Sequence, residues 1–581
     1  MRRSVNVSIA VALIAALLAG FYRWPIASAR VGVEFNRATP PIGLRWRPPA
    51  KATLTLLPWP TLRVVGVDLL EADGRSLLTA PTARFPLLLG ALLQGRFAPS
   101  GAMLDNPTAL VDLDAAPALA EERAIADDIG EAKTGAWSSV RLRGGVLHIV
   151  SASRGFDTMI ESLDGDIAWR RADAPLRLTL VGAWRGQSVA INGRIDNPRD
   201  ALQDHATGVG LTIASPPVSL SAEGQWSGDG APGFAGQLSI DIRSLAAATR
   251  LLGGDPTPFP LGDAFAFSGK AQTTRDALTL SEAKVTASGE RLEGALTLDR
   301  RNDRYAISGT LAADRLNLQA LAGSPPNLLT SAGEWSDRPF DFSPPRDIDL
   351  DLRLSATRLA WGERGVDDAA GSLMCKSGRC VASLLEAGAY QGTLKGELTL
   401  ARAARGIEAE ANVSLTDADL GAAFAELGWG GYHGRGDIEA TMKTTGFAAS
   451  DSVLSLSGEV TARLGAGEVE GVSIEEAMRR SLRRPVDVAR DLGNGATRFS
   501  LARLRLSLAA GSATIAEGHV EGPGSTIDLS GVVDIAGRTV EARALAMQAD
   551  AQGAPSPDAA RLTIALFGPW SAINVTTSPG E

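Results

Sequence analysis

In the stretch GSTIDLSGVVDI, residues 524–535, Ile527, Leu529, Val533 and Ile535 fall on odd positions, while Thr526, Asp528, Ser530 and Asp534 fall on even ones. This period of two predicts a β-strand with one buried and one solvated face. Gly531 sits in the apolar register, where a glycine removes a side chain from the face that needs filling and marks a bend, a bulge or a close approach. The same arrangement, apolar-x-Gly-x-apolar, recurs around Gly182, Gly193, Gly224, Gly236, Gly269, Gly294, Gly309, Gly396 and Gly458. Ten strands thus share one design, several in pairs 11, 12 or 15 residues apart, which suits antiparallel hairpins. The spacing between pairs is irregular, so the chain is no solenoid of fixed period.

Strand signals at 8–15-residue spacing run through most of the 581 residues and predict a mainly β fold with a few short helices. The helical stretches are FPLLLGALLQGRF, RSLAAATRLLGG, TDADLGAAFAELGW with an N-cap signal at Thr416-Asp417, and SIEEAMRRSLRRPVDVARDLG. A Pro-Trp-Pro corner interrupts the first strands at residues 58–60. Composition divides the chain into a β region over 30–115, a helical or linker segment over 116–135 and a middle β region over 136–321. A Pro/Ser-rich boundary at 322–346 then precedes a C-terminal β region over 347–581.

The N-terminus, MRRSVNVSIAVALIAALLAGFYRWPIASAR, carries 18 uncharged residues from Val5 to Tyr22. That length is near the lower limit for a membrane-spanning helix, and Tyr22 and Trp24 stand where an interfacial belt belongs. One reading is a signal anchor over 4–22 behind a cytoplasmic tail of residues 1–3. The other is a cleaved signal peptide ending at Ala27-Ser28-Ala29. Both export the rest of the chain.

A net charge of −9 with interspersed signs, and no basic stripe with interleaved aromatics, argues against a nucleic-acid partner. Cys375 and Cys380 flank Lys376-Ser377-Gly378-Arg379, a connection suited to a hairpin, and form either a disulfide in an oxidising compartment or a pair of reduced thiols. No metal is expected: His148, His205, His433 and His519 lie far apart without ligand spacing. There is no nucleophile elbow and no P-loop. GAGEVEG at 465–471 misses the dinucleotide fingerprint and reads as a turn between strands, so no cofactor is expected. Asp349 and Asp351 alternate on a strand face as solvated carboxylates, and the reading is of a protein that is not an enzyme. The arginines of MRRSLRRP at 478–485 read either as a solvated helix face or as contacts for anionic headgroups.

Residues 54–97, with LPWPTLRVVGVDLLEADGRSLLTAP and FPLLLGALLQGRF, resemble the N-terminal region of AsmA-family proteins. The C-terminal third resembles the family more closely, through WSDRPFDF, IDLDLRLSATRLAW, LLEAGAYQGTLKGELTL, LSLSGEVTARLGAGEVEGVSIEEAM, TRFSLARLRLSLAAGSATI, GSTIDLSGVVDIAG and LFGPWSAINV. The resemblance implies a Gram-negative envelope protein, held in the inner membrane by one N-terminal helix with its bulk in the periplasm. Its relatives of the TamB and YhdP type are bridge-like lipid transfer proteins with long, taco-shaped β-sheets and an apolar groove.

Together these readings give a single-pass transmembrane helix followed by a long, curved antiparallel sheet of roughly 25 strands, on the order of 100 Å long at about 4.8 Å per strand. The ten glycines are expected at a crease on the concave apolar face, where the missing side chain lets the sheet bend and leaves room for an acyl chain. The alternative is two packed sheets with glycine thinning a crowded core. Candidate groove residues are Val189, Ile191, Leu292, Leu296, Leu394, Leu398, Ile527, Leu529, Val533 and Ile535. The expected partners are phospholipid, the inner membrane, and an outer-membrane or periplasmic protein. The expected role is phospholipid binding or conduction in support of outer-membrane lipid homeostasis. The alternative role is a scaffold for outer-membrane protein assembly that acts through a strand edge.

Overall fold

The computed structural model describes residues 17–38, 45–71, 74–112, 114, 139–152, 156–169, 174–202, 205–228, 233–252, 263–274, 277–301, 304–322, 328–340, 348–426, 428–481, 495–549 and 561–579. The chain is mainly β, as its alternation predicts, and divides into two compact units, Met1–Ser288 and Gly289–Glu581. Among the described residues there are 32 strands, more than the roughly 25 expected, several of them as short as Trp24–Ile26, Arg45–Trp46, Ala102–Asp105, Thr108–Asp112 and Ala496–Phe499.

The first unit opens with β1 (Trp24–Ile26), β2 (Arg45–Trp46), β3 (Lys51–Thr55), β4 (Thr61–Leu70), β5 (Ser76–Pro86), β6 (Ala102–Asp105) and β7 (Thr108–Asp112). β1, β3, β4 and β5 pair antiparallel in that order, with β2 on β4. β5 continues into both β6 and β7, and these pair in parallel with β8 (Ser139–Ser151). An antiparallel meander follows through β9 (Phe156–Ala168), β10 (Leu176–Trp184), β11 (Gln187–Ile195), β12 (Thr207–Ala214), β13 (Val218–Ser227), β14 (Gly233–Ile242), β15 (Phe265–Thr273) and β16 (Ala277–Ala287). Local chemistry sets some of the hairpins. Arg185 and Gly186, with φ of 48° and 79°, form a two-residue turn of the kind whose twist matches the flanking strands.

A close-packed core lies at the start of this unit. The helix Ser28–Ala38 buries Val31 and Phe35 against Leu62, Val64, Ala83 and Phe85, with the Phe35 and Phe85 rings edge to face at 4.7 Å. The helix Leu89–Leu93, foreseen within FPLLLGALLQGRF, buries none of its residues.

The second unit holds β17 (Glu290–Arg301), β18 (Arg304–Asn317), β19 (Ile348–Trp361), β20 (Arg364–Lys376), β21 (Arg379–Ala389), β22 (Gly392–Ala403), β23 (Gly406–Asp419), β24 (Tyr432–Gly446), β25 (Ser457–Glu470), β26 (Ala496–Phe499), β27 (Leu501–Ala509), β28 (Ser512–Glu521), β29 (Ser525–Asp534), β30 (Thr539–Gln548), β31 (Arg561–Pro569) and β32 (Asn574–Pro579). Successive strands pair antiparallel with two departures: β18 and β19 are parallel, and β25 pairs with both β26 and β27. The stretch of chain that includes the Pro/Ser-rich segment joins β18 to β19, two paired strands of one sheet. It is the crossover that a parallel pair requires. Its residues 328–340 reach the connections just after β29 and β24: Trp335 Nε1 donates to the Ile535 carbonyl at 2.9 Å and Phe340 N to the Phe447 carbonyl at 2.8 Å.

Three local expectations are corrected. GAGEVEG is not a turn: residues 465–470 are strand within β25, where pairing switches from β27 to β26, and only Gly471 turns. The helix of TDADLGAAFAELGW spans Leu420–Glu426, and Thr416 and Asp417 remain in β23. Asp419 takes the capping role, its carboxylate accepting from Ala422 N at 3.1 Å. The cysteine connection is shorter than four residues, because Lys376 and Arg379 pair in the ladder and Ser377-Gly378 alone turn. Cys375 and Cys380 face each other and are disulfide-bonded.

The anchor at 4–22 and the linker at 116–135 fall largely or wholly outside the described residues. Of the anchor, residues 17–21 are helical, and among the described residues no helix is long and apolar enough to cross a membrane.

Candidate functional site

Residues directly opposite one another on paired strands point to the same face of a sheet. Following the register of the first unit from strand to strand gives the row Ile26, Ala52, Val64, Ala83, Leu104, Leu142, Gly165, Leu180, Ile191, Ile213, Leu220, Ile240, Phe267, Val285. It crosses fourteen strands without a polar residue. One position along each strand, on the opposite face, Thr179, Asn192, Thr212, Ser221, Ser239, Ser268 and Lys284 form a row without an apolar residue.

The second unit repeats the arrangement. Leu296, Gly309, Leu352, Leu373, Ala382, Leu398, Ala411, Met442, Gly458, Leu508, Ala513, Val533, Val540 and Gly568 succeed one another across fourteen strands. A parallel row runs from Gly294 through Leu311, Leu354, Gly371, Leu384, Gly396, Val413, Ala440, Val460 and Leu506 to Ile515. The opposite face between them carries Thr310, Arg353, Ser372, Ser383, Glu397, Asn412, Thr441, Glu459, Ser507 and Thr514. Fourteen strands at about 4.8 Å make each row on the order of 60 Å long.

The rows are covered only in places. In the first unit the β3–β6 members are buried with the Ser28–Ala38 helix, whereas Ile191, Ile213, Leu220 and Ile240 are half-buried. In the second, the helix Ile474–Ser481 seals β29–β31: Ile474, Ala477 and Met478 bury Ile527, Ala544, Ala546, Leu562 and Ile564. Further back along that sheet, Leu398 is 42% and Val413 38% exposed, on the apolar face. Of the basic stretch behind the sealing helix, Arg479 is exposed and paired with Glu476 at 2.5 Å, and residues 482–485 lie outside the described residues.

The sequence-derived candidates thus separate. Ile191 lies on the first unit's row, and Leu296, Leu398 and Val533 share the row of the second. Leu394 aligns with Leu415 and Ile438 on the same face, and Leu529 with Ala544 and Ile564. Val189 and Leu292 are buried, Val189 within a cluster with Ile160, Leu163 and Leu180. Ile527 is not open to a groove because the Ile474–Ser481 helix covers it. Ile535 is not in a strand at all: β29 ends at Asp534, and Ile535 lies in the turn to β30 with its carbonyl held by Trp335.

At nine of the ten glycines an added Cβ would meet the neighbouring strand. At Gly224 it would stand 2.5 Å from the Cα of Gly236, which is its ladder partner, and at Gly531 2.5 Å from the Cα of Ala542. In a flat sheet side chains stand perpendicular to the ladder and do not approach the next backbone. Such contacts arise when the sheet folds towards the face that the glycine presents. The space vacated by the missing side chain is therefore filled by backbone at eight of these nine and by the Leu178 side chain at Gly193, and of the ten Gly396 alone has nothing nearer than 3.5 Å.

Ionisable groups occupy the opposite face and the strand ends. Lys443 donates to Glu408 at 2.6 Å and holds its carboxyl below the usual range, and Arg505 meets Glu459 at 3.3 Å. His148, His433 and His519 each face a carboxylate, Asp157 at 2.7 Å, Glu470 at 3.2 Å and Asp528 at 2.7 Å. Asp349 meets Arg304 at 2.6 Å. Burial, then the hydrogen bond to Glu426, push the Tyr390 phenol up to about 12, and burial with the Asp419 charge pushes Tyr432 up to about 12. Among the described residues no group of three or more His, Cys, Asp or Glu is arranged to hold a metal ion. Register is what sequence reading lacked: Ile213, Leu220, Ile240, Leu352, Leu373 and Met442 stand beside the candidates in space, and only alternation within their own strands signals them.

No family model, no curated protein and no solved structure matches the chain.

Proposed function

We propose that this chain is a membrane-attached lipid-handling protein of the AsmA type, whose apolar face forms a taco-like groove for the acyl chains of phospholipid while headgroups stay at its polar rim. It acts without covalent chemistry, in the bacterial inner membrane with its bulk in the periplasm, and serves outer-membrane lipid homeostasis and assembly. One observation carries the reading: an unbroken apolar row across fourteen strands in each unit, backed by a polar row and left partly exposed. A soluble protein does not ordinarily leave a long apolar patch in water. Acyl chains would cover it with a gain of about 0.8 kcal/mol per buried CH2. The Cys375–Cys380 disulfide supports an oxidising compartment.

The test is site-specific photocrosslinking of the full chain in cells with radiolabelled phospholipid. Crosslinker at Leu220 or Leu398 should capture lipid, and crosslinker at Ser221 or Glu397, on the opposite face, should not. Equal labelling of both faces, or none at either, refutes the groove. A scaffold acting by strand addition would use β32, which among the described residues pairs with β31 alone and whose Val575 is exposed. It predicts protein crosslinks at Val575 and no lipid at Leu398.

A further inference from the structure

Three uncharged segments of the first unit come together: the end of the apolar N-terminal run, the Pro-Trp-Pro corner, and the helix Leu89–Leu93. Backbone hydrogen bonds join them. Leu56 N and Leu57 N both donate to the Gly20 carbonyl, at 3.0 and 2.8 Å, and Leu87 N donates to the Pro60 carbonyl at 2.8 Å. No charged residue occurs in 4–22, 54–62 or 85–95. Leu54, Leu62, Phe85 and Leu87 are buried in the core beneath, and other large apolar side chains of these segments are exposed. Trp59 is 76% and Leu93 81% exposed, and Phe21, Tyr22 and Leu89 are exposed beside them.

We infer that this surface lies in the bilayer interface, with the Trp59 corner and the Leu89–Leu93 helix inserted beside the N-terminal run. The occupant is a lipid surface rather than a protein because of what the patch continues. The corner is bonded to the last turn of a run of 18 uncharged residues, so wherever that run meets the membrane, Trp59 meets it too. Tryptophan and tyrosine concentrate at that depth. A short apolar helix with Arg96 just after it and Arg23 on the neighbouring segment suits partial burial with cations at headgroup level. The consequence joins the surface to the groove. Ile26, the first member of the apolar row, is four residues from Tyr22, so the row begins where the bilayer ends. This inference rests on the membrane attachment proposed above and not on lipid occupancy of the groove.

The experiment uses the full chain, whose native cysteines are tied in a disulfide, with single environment-sensitive nitrobenzoxadiazole labels at Trp59→Cys, Leu93→Cys and, as control, Thr212→Cys on the polar row. The chains are reconstituted into phosphatidylethanolamine/phosphatidylglycerol vesicles with and without brominated lipid. Labels at 59 and 93 should shift to the blue and be quenched several-fold, and the label at 212 should be unchanged. Vesicle-bound chain whose labels at 59 and 93 stay unquenched overturns the inference while leaving the attachment intact. A blue shift that tracks protein concentration and is not quenched also overturns it, since the surface then packs against a second copy. Failure of the chain to float with vesicles overturns both attachment and surface. Should Trp59→Cys not fold, Leu89→Cys reports the same surface.

Discussion

Gly531→Ala separates a folded-over sheet from a merely under-filled one. The added Cβ would stand 2.5 Å from the Cα of Ala542 and would collide with the Glu541 carbonyl oxygen, against a comfortable carbon–carbon separation of about 3.5–4.0 Å. Both obstacles are backbone of the paired strand, so relief requires β29 and β30 to part by about 1 Å and strain their ladder. Overpacking of this kind costs about 1–3 kcal/mol, and a non-glycine residue at φ 136° adds about 1–3 kcal/mol of strain. Because the strands can shift, about 2–4 kcal/mol is expected. Gly396→Ala, in the same unit, meets nothing nearer than 3.5 Å and is expected within about 1 kcal/mol of the parent, with reduced unfolded-state freedom on its side. The assay is urea unfolding followed by tryptophan fluorescence, with hydrogen exchange of peptides covering 525–548 to localise the effect in a chain too large for two-state treatment. An unchanged midpoint and unchanged exchange for Gly531→Ala, or an equal loss for Gly396→Ala, refutes the close-approach argument.

Leu562→Ala, at a position 1% exposed beneath the Ile474–Ser481 helix, should lower stability by about 2–5 kcal/mol and raise exchange in that helix, and a surface-like effect below about 0.5 kcal/mol would disprove the seal. The double variant Cys375→Ser/Cys380→Ser should lose at most about 2 kcal/mol, since the disulfide closes a short loop that the Ser377-Gly378 turn already closes; thermal melts with and without reductant check this. Tyr390 and Tyr432 titrate near 12 when folded and near 10 when unfolded, so the folded chain binds more protons between those values. Their contribution is complete below about pH 10 and is lost as pH rises towards about 12. Denaturation midpoints across that window should fall less steeply for Tyr390→Phe/Tyr432→Phe, and an identical slope would count against the assignment.

What the sequence determined by itself was local. Side-chain alternation is a property of one strand, so the apolar parity of β29, the in-register glycines and the short helices at 89–93, 245–252, 420–426 and 474–481 were all legible from neighbouring residues. The facing cysteines were legible too, because a turn residue pair fixes the register of its own hairpin. Tertiary structure decided everything that depends on which strand lies next to which. Leu398, Ala411 and Met442 become one surface through register across separate hairpins, and bulges such as that between Arg505 and Leu506 shift that register in ways no local pattern encodes. Ile527 and Leu398 look alike in sequence, yet one is sealed and the other exposed, because a helix about 50 residues before Ile527 folds back over β29–β31. The glycines gave the same lesson. A missing Cβ is visible in the sequence, but whether its space holds solvent, a ligand or the next strand's carbonyl is set by how far the sheet bends, and that is a property of all its strands together.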